Sequence, residues 1–138
     1  MYLLDTNICI YIINNHPKKV VEKIKSLKPN QIKLSAISLG ELEYGVSKSK
    51  YKERNRDALV NFVSAFNIIP FDDEDAEVFG LIRAELESRG QIIGSYDMQI
   101  AAQAISKKLI LVTNNISEFS RVNELKMENW VEKFTSKI

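Results

Sequence analysis

The sequence is poor in the residue types on which many enzymes depend. Its 138 residues hold one cysteine, Cys9, and one histidine, His16. A single cysteine excludes an internal disulfide and any zinc site made of cysteine ligands, so a reducing, cytoplasmic setting is expected. A single histidine excludes the histidine pair that serves metal-free ribonucleases as general acid and base. His16 adjoins Pro17 in a connecting segment, where a solvated loop role is the simpler one. A Ser-His-Asp triad would need that same residue, and there is no Gly-x-Ser-x-Gly elbow. Neither a Gly-x-Gly-x-x-Gly nor a Walker loop occurs, so use of a dinucleotide or nucleoside triphosphate has no support. No apolar run approaches the roughly 20 residues of a membrane helix. The start, Met1-Tyr2-Leu3-Leu4-Asp5, lacks the basic segment of a signal peptide. Charge of one sign is also missing: 19 basic and 18 acidic residues leave a net +1, so a polyanion would have to be held by a local patch.

What is present suits one domain over residues 1–138 with an ordinary core, the apolar share being 45% and the charged share 27%. Short apolar runs alternate with helical patterns. Tyr2-Leu3-Leu4 reads as a buried strand running into Asp5, with Thr6 or Asn7 capping a helix over Ile8 to Ile13. Pro17 opens a second helix with Val20, Ile24 and Leu27 in phase. A strand is expected over Ile32 to Ala36, then a helix from Ser38, a charged hairpin-like stretch near Lys48 to Arg56, and a helix carrying Leu59, Phe62, Val63 and Phe66. Ile68 to Phe71 reads as an outer strand because Pro70 cannot donate to a ladder. Asp72 or Asp73 caps a long helix that Gly90 stops. Met98, Ala101, Ala102 and Ile105 mark another helix, Leu109 to Val112 a buried strand, and Lys126 to Asn129 a short last one. Strands separated by helices imply a parallel sheet with helices on both faces, and ligands then bind at the carboxyl edge. Asp5 and the run Thr113-Asn114-Asn115 both follow strands directly, so they face one crevice.

With histidine and cysteine chemistry removed, carboxylates must carry any catalysis. Asp5 can be a functional acid or simply the cap of the next helix. Glu41 fits a capping box with Ser38, a structural role, or it belongs to the site. Glu43, two residues on, points elsewhere. Asp97 stands in a first helical turn, where the dipole favours an acid in any case, but Gly90 and Gly94 before it permit close approach of a partner. Carboxylates converging on one crevice repel unless a cation joins them, and an all-oxygen donor set selects a hard ion, Mg²⁺ or Mn²⁺. Such a site suits phosphodiester hydrolysis.

Four segments in order resemble a known family. They are Leu4-Asp5-Thr6-Asn7, then Ser35 to Gly45 (with Gly40-Glu41-Leu42-Glu43-Tyr44-Gly45), then Ile82-Arg83-Ala84-Glu85-Leu86 with Gly90, Gly94 and Tyr96-Asp97, and last Leu111-Val112-Thr113-Asn114-Asn115 with Glu118-Phe119 and Arg121-Val122. The chain resembles PIN-domain ribonucleases, specifically the VapC-type toxins of type II toxin–antitoxin systems. The resemblance implies a PIN-like three-layer sandwich, an α/β fold with a central, mainly parallel sheet flanked by helices. It implies that Asp5, Glu41 and Asp97 are catalytic acids at a Mg²⁺ site, with Mn²⁺ as the alternative ion, Asp5 and Asp97 as direct ligands, and Glu41 acting through water. Thr6, Asn7 and Thr113 resemble supporting polar residues. Where many members carry a fourth acid this chain has Asn114-Asn115, and either Asn115 or Glu118 would stand in for it.

The activity implied is single cleavage of a structured RNA, such as a tRNA or rRNA loop, by metal-activated water that leaves a 5′-phosphate and a 3′-hydroxyl. Arg83 is the best single candidate for gripping phosphate. Lys48, Lys50, Lys52, Arg54 and Arg56 are either further candidates or a solvated face. A VapB-type antitoxin, a homodimer, toxin–antitoxin hetero-oligomers and indirect operator contact through the antitoxin are the implied partners. Tyr44, Phe62 and Phe66 line either the antitoxin groove or the core, and helical phase favours the core for the two phenylalanines. Three other readings compete. One is a catalytically weak PIN-like binding module, a second a PIN-like DNA nuclease. The third, a phosphatase of the haloacid dehalogenase type, usually needs Asp-x-Asp where this chain has Asp5-Thr6-Asn7.

Overall fold

The structure, a computed structural model, describes residues 1–131. Five short strands form one parallel sheet: β1 (Tyr2–Leu4), β2 (Ile32–Ser35), β3 (Asn67–Ile69), β4 (Ile110–Val112) and β5 (Met127–Glu128), in the order β3-β2-β1-β4-β5. Parallel strands cannot be joined by tight hairpins, so each crossover carries helix. Between β1 and β2 lie α1 (Thr6–Ile13) and α2 (Lys18–Lys25), and between β2 and β3 lie α3 (Ala36–Lys48) and α4 (Lys52–Val63). Between β3 and β4 lie α5 (Asp73–Ser88) and α6 (Ser95–Ser106), and α7 (Ile116–Phe119) precedes β5. Among the described residues no helix is long and apolar enough to cross a membrane.

Alternation along the strands divides the core in two. Leu3 and Leu111 point to a cluster with Ile82, Leu86, Met98 and Ala101 of α5 and α6. Leu4 and Val112 point the other way, to Ile8, Val20, Leu42, Leu59 and Phe62 of the first four helices. Burying both faces of β1 and β4 explains why these strands read as unbroken apolar runs. Phe62 and Phe66 pack 5.2 Å apart in the second cluster, so both belong to the core. Gly90 takes φ +64° just past α5, the left-handed turn that ends a helix most easily at glycine.

The structure corrects several local expectations. Asp5 itself caps α1, accepting from Ile8 N at 2.9 Å, so Thr6 and Asn7 are helical. The third helix begins at Ala36, earlier than the expected Ser38, because Ser35 at the end of β2 provides the cap by accepting from Ile37 N at 3.0 Å. Ser38 and Glu41 therefore lie inside α3 and form no capping box. The stretch 48–56 is a tight helix-to-helix turn rather than a hairpin, with α4 already begun at Lys52. Phe66 lies beyond the end of α4, and α7 was not anticipated. Edge placement of β3, with Pro70 just past it, agrees with the expectation from that proline.

Candidate active site

β1 is central, and its neighbours β2 and β4 lead into helices at the carboxyl edge of the sheet, where a crevice opens. Three elements bring acids to it. Asp5 ends β1, Glu41 lies on α3 just beyond β2, and Asp97 lies in the first turn of α6.

Asp5 is only 5% exposed and each of its oxygens is held. Oδ1 accepts from Ile8 N, and Oδ2 accepts from the Thr113 hydroxyl. Thr113, fully buried after β4, in turn accepts from Asn115 N at 2.9 Å. A hydroxyl that accepts on one side has its proton aimed on the other, so the loop after β4 sets the orientation of Asp5. Glu41 is fixed by Thr6, whose Oγ1 lies 2.7 Å from Glu41 Oε1 and 3.1 Å from Ser38 Oγ. The single Thr6 proton goes to the carboxylate, and the buried Ser38 hydroxyl can donate back to Thr6.

A further bond joins the helices beneath these acids. Gln103 is fully buried in α6; its Oε1 accepts from the Ser35 hydroxyl, and its Nε2 donates to Pro70 O at 3.1 Å. Ser35 caps the helix that carries Glu41, and Gln103 is on the helix that carries Asp97, so one polar pair ties the two acid-bearing helices together. Sequence reasoning gave Gln103 no role, Ser35 only a place in a family-like segment, and Ser38 a capping role that it does not have. The one signal for Gln103 was a polar residue set in the apolar run Ile100-Ala101-Ala102-Gln103-Ala104-Ile105.

The electrostatics agree with this convergence. Burial pushes the Asp97 carboxyl up to about 6, with Glu118, Glu41 and Asp5 adding repulsion in that order. Burial also raises Asp5, against the lowering effect of the bonds from Thr113 and Ile8, and Glu41 adds to the rise. Among the described residues no lysine or arginine forms an ion pair with any of these four acids. Glu118 thus joins the three expected acids, held by Asn115, whose Nδ2 donates to Glu118 Oε2 at 3.0 Å. Asn115 positions an acid here as well as aligning Thr113.

The donors are all oxygen and mutually repelling, which fits a hard divalent cation in chemistry and in charge. As the side chains stand, no three acids among the described residues are arranged to hold one ion. Cys9 is no competing ligand: it is fully buried, and burial followed by the Asp5 charge pushes its thiol far up.

Other expected residues are more dispersed. Asn7 lines the crevice with Thr6, Glu41 and Lys48. Arg83 is held along α5 by Glu87 at 3.1 Å, an exposed pair away from the bonds that organise the acids. Arg56 is engaged by Glu43, while Arg54 lines a neighbouring hollow of about 490 Å³ between α1, α3 and α4. His16 is exposed, as a loop histidine should be.

The PIN domain family matches residues 2–125, and the chain belongs to that family. It is 49% identical over 131 residues to "Ribonuclease VapC2" of Rickettsia felis, covering 94% of this chain and 98% of the relative. To "tRNA(fMet)-specific endonuclease VapC" of Shigella flexneri it is 43% identical over 129 residues, covering 94% and 97%. Among solved structures it is similar to the crystal structure of VapBC2 from Rickettsia felis bound to a DNA fragment from their promoter. That match has a TM-score of 0.88 at 48% identity and covers 94% of this chain and 98% of the other. The parallel sheet flanked by helices is therefore the PIN fold.

Proposed function

We propose that the chain, as one PIN domain, is the toxin of a type II toxin–antitoxin pair, an endoribonuclease that needs a divalent metal. The observation that carries the site assignment is the crowding of Asp5, Glu41, Asp97 and Glu118 within electrostatic reach of one another, with no lysine or arginine ion-paired to any of them among the described residues. A bound divalent ion would supply charge neutralisation on the phosphate and a more acidic water. Mg²⁺ is the first ion to try and Mn²⁺ the second.

The chain's own residues perform distinct tasks. Asp5, Asp97 and Glu41 would hold the ion, with Glu118 as the fourth acid. Thr113 keeps one Asp5 oxygen oriented by donating to it, and Asn115 keeps Thr113 aligned. Thr6 holds Glu41 so that its carboxylate stays turned toward the crevice. Asn7 and Lys48 stand at the crevice wall to meet polar substrate groups. Arg83 reaches phosphate only by leaving Glu87.

The substrate is a structured RNA with an exposed loop, whose unstacked bases and bent backbone a crevice can reach. Because a relative is named for tRNA(fMet), that tRNA is the first to test. A VapB-type antitoxin silences the enzyme in the cytoplasm, and contact with operator DNA is made through the antitoxin, in keeping with the promoter-bound relative. Homodimers and toxin–antitoxin hetero-oligomers are the assemblies to look for.

Induction of the chain alone in bacteria, beside an Asp5→Asn/Asp97→Asn control, tests this reading. Growth arrest with one or a few sharp cleavages in total RNA, absent from the control, is the expected result. Intact RNA with folded protein would turn the reading to a binding module.

A further inference from the structure

We propose that Tyr44 and Tyr96 form a stacking site for one unpaired nucleobase of the substrate, with Lys48 placed for the adjoining phosphate. The proposal deepens the ribonuclease reading above and rests on it.

Both rings are spent on nothing in the core. Tyr44 is 65% exposed and Tyr96 59% exposed, yet both line the same crevice of about 800 Å³ with Thr6 and Glu41. That volume lies within the roughly 300–1,000 Å³ typical of ligand pockets. Each ring stands next to an acid of the site. Tyr96 directly precedes Asp97, and Tyr44 is three residues after Glu41, a neighbour on the helix surface. A base held there would have its own phosphate group beside the carboxylates.

The rest of α3 is shaped for the same occupant. Gly40, Tyr44 and Lys48 recur every fourth residue along one stripe, and Gly45 lies beside it. Glycine is a poor helix residue, and packing does not demand it here: a Cβ at Gly40 or Gly45 would meet nothing within 4 Å. Bare backbone at these two positions leaves the crevice open. Lys48 Nζ lies 4.9 Å from the centroid of the Tyr44 ring, which puts a cation beside an aromatic face. An aromatic face, a nearby cation and a carboxylate cluster able to share a metal with phosphate match the three parts of a nucleotide. Stacking reads every base by its π-face, so this site adds grip with little sequence preference.

The test uses the full chain carrying Asp5→Asn, so that RNA stays intact, and a fluorescein-labelled loop RNA in Mg²⁺. Tyr44→Ala and Tyr96→Ala should each weaken binding about ten-fold, and Tyr→Phe at either position should restore it. An oligonucleotide made abasic at one particular position should bind the parent and the alanine variants alike. In the Asp5-containing chain the alanine variants should raise KM more than they lower kcat. Circular dichroism melting checks that each variant is folded. Alanine variants that bind like the parent would overturn the proposal, as would a penalty that persists at every abasic position. Unchanged RNA binding with loss of antitoxin affinity would also overturn it and assign the tyrosines to the antitoxin. An Asp5-containing chain that cuts RNA in cells, while its Asp5→Asn form does not bind single-stranded loops, refutes the stacking site alone, whereas an Asp5-containing chain that cuts nothing refutes the ribonuclease reading.

Discussion

The two ends of α6 hold acids under opposite conditions. At the N-terminal end, Asp97 lies within electrostatic reach of Glu118, Glu41 and Asp5, and burial with their repulsion pushes its carboxyl up to about 6. At the C-terminal end, Lys107 sits among acids of α5: its Nζ lies 2.5 Å from Asp72 Oδ2, 3.6 Å from Asp75 Oδ1 and 3.9 Å from Glu74 Oε2. The Lys107 hydrogen bond, with help from Asp75 N, holds the Asp72 carboxyl below its usual range. Asp72 and Asp75 also close a reciprocal capping box on α5. One group of acids has a lysine in its midst and joins two helices. The other has no such partner among the described residues, and burial with mutual repulsion raises its Asp97 and Asp5 carboxyls. Acid clustering alone therefore says little about function, and the absence of a built-in counter-charge says more.

Substitutions at each end should separate the two plans. The largest effect belongs to Asp5→Asn: asparagine remains a good helix cap, so the melting temperature should barely move while RNA cleavage falls by about 100-fold or more. Thr6→Val removes the donor to Glu41 without touching the acids, and metal affinity measured by calorimetry should drop by about 10- to 100-fold. Gln103→Leu breaks the tie between α3 and α6 and leaves the buried Ser35 hydroxyl without its acceptor; chemical denaturation should report a loss of about 1–3 kcal/mol. Lys107→Gln should lower the melting temperature by several degrees and leave metal affinity unchanged, which would show that the second cluster is structural.

The smallest effect is a drift with pH. The folded Asp97 carboxyl, at about 6, lies above its unfolded value of roughly 3.9. Folding therefore favours the protonated form, and this contribution, full below the unfolded value, is lost as pH rises through about 6. Melting of the metal-free chain should fall between about pH 4 and 6, and Asp97→Asn should flatten that slope. A steeper slope in the variant would count against the crowding of charge at this site.

Strand ends were the most legible part of the sequence. Leu4-Asp5 and Val112-Thr113 show an apolar run stopping at polar residues, and burial on both faces of the sheet made the runs distinct. Glu41 was harder to read because Ser38-x-x-Glu41 copies the spacing of a capping box, while the true cap, Ser35, belongs to the preceding strand. Asp5 was legible both as an acid of the site and as a candidate cap of α1, alongside Thr6 and Asn7, and it is Asp5 that caps. Contacts such as Ser35 with Gln103, 68 residues apart, leave no local pattern because the fold alone brings them together. Glu118 became distinguishable from Asn115 only through its charge effect on Asp97 and its bond from the Asn115 amide.

The bond from Thr113 to Asp5 spans 108 residues, and Glu118 lies further on still. During synthesis at about 5–20 residues per second, Asp5 would wait on the order of ten seconds for its partners to be made. A nascent chain shorter than this has the first acid and the helix that carries Glu41 but lacks the central pairing of β1 with β4. A chain stopped before β4 would therefore lack both the bond that orients Asp5 and the fourth acid, Glu118.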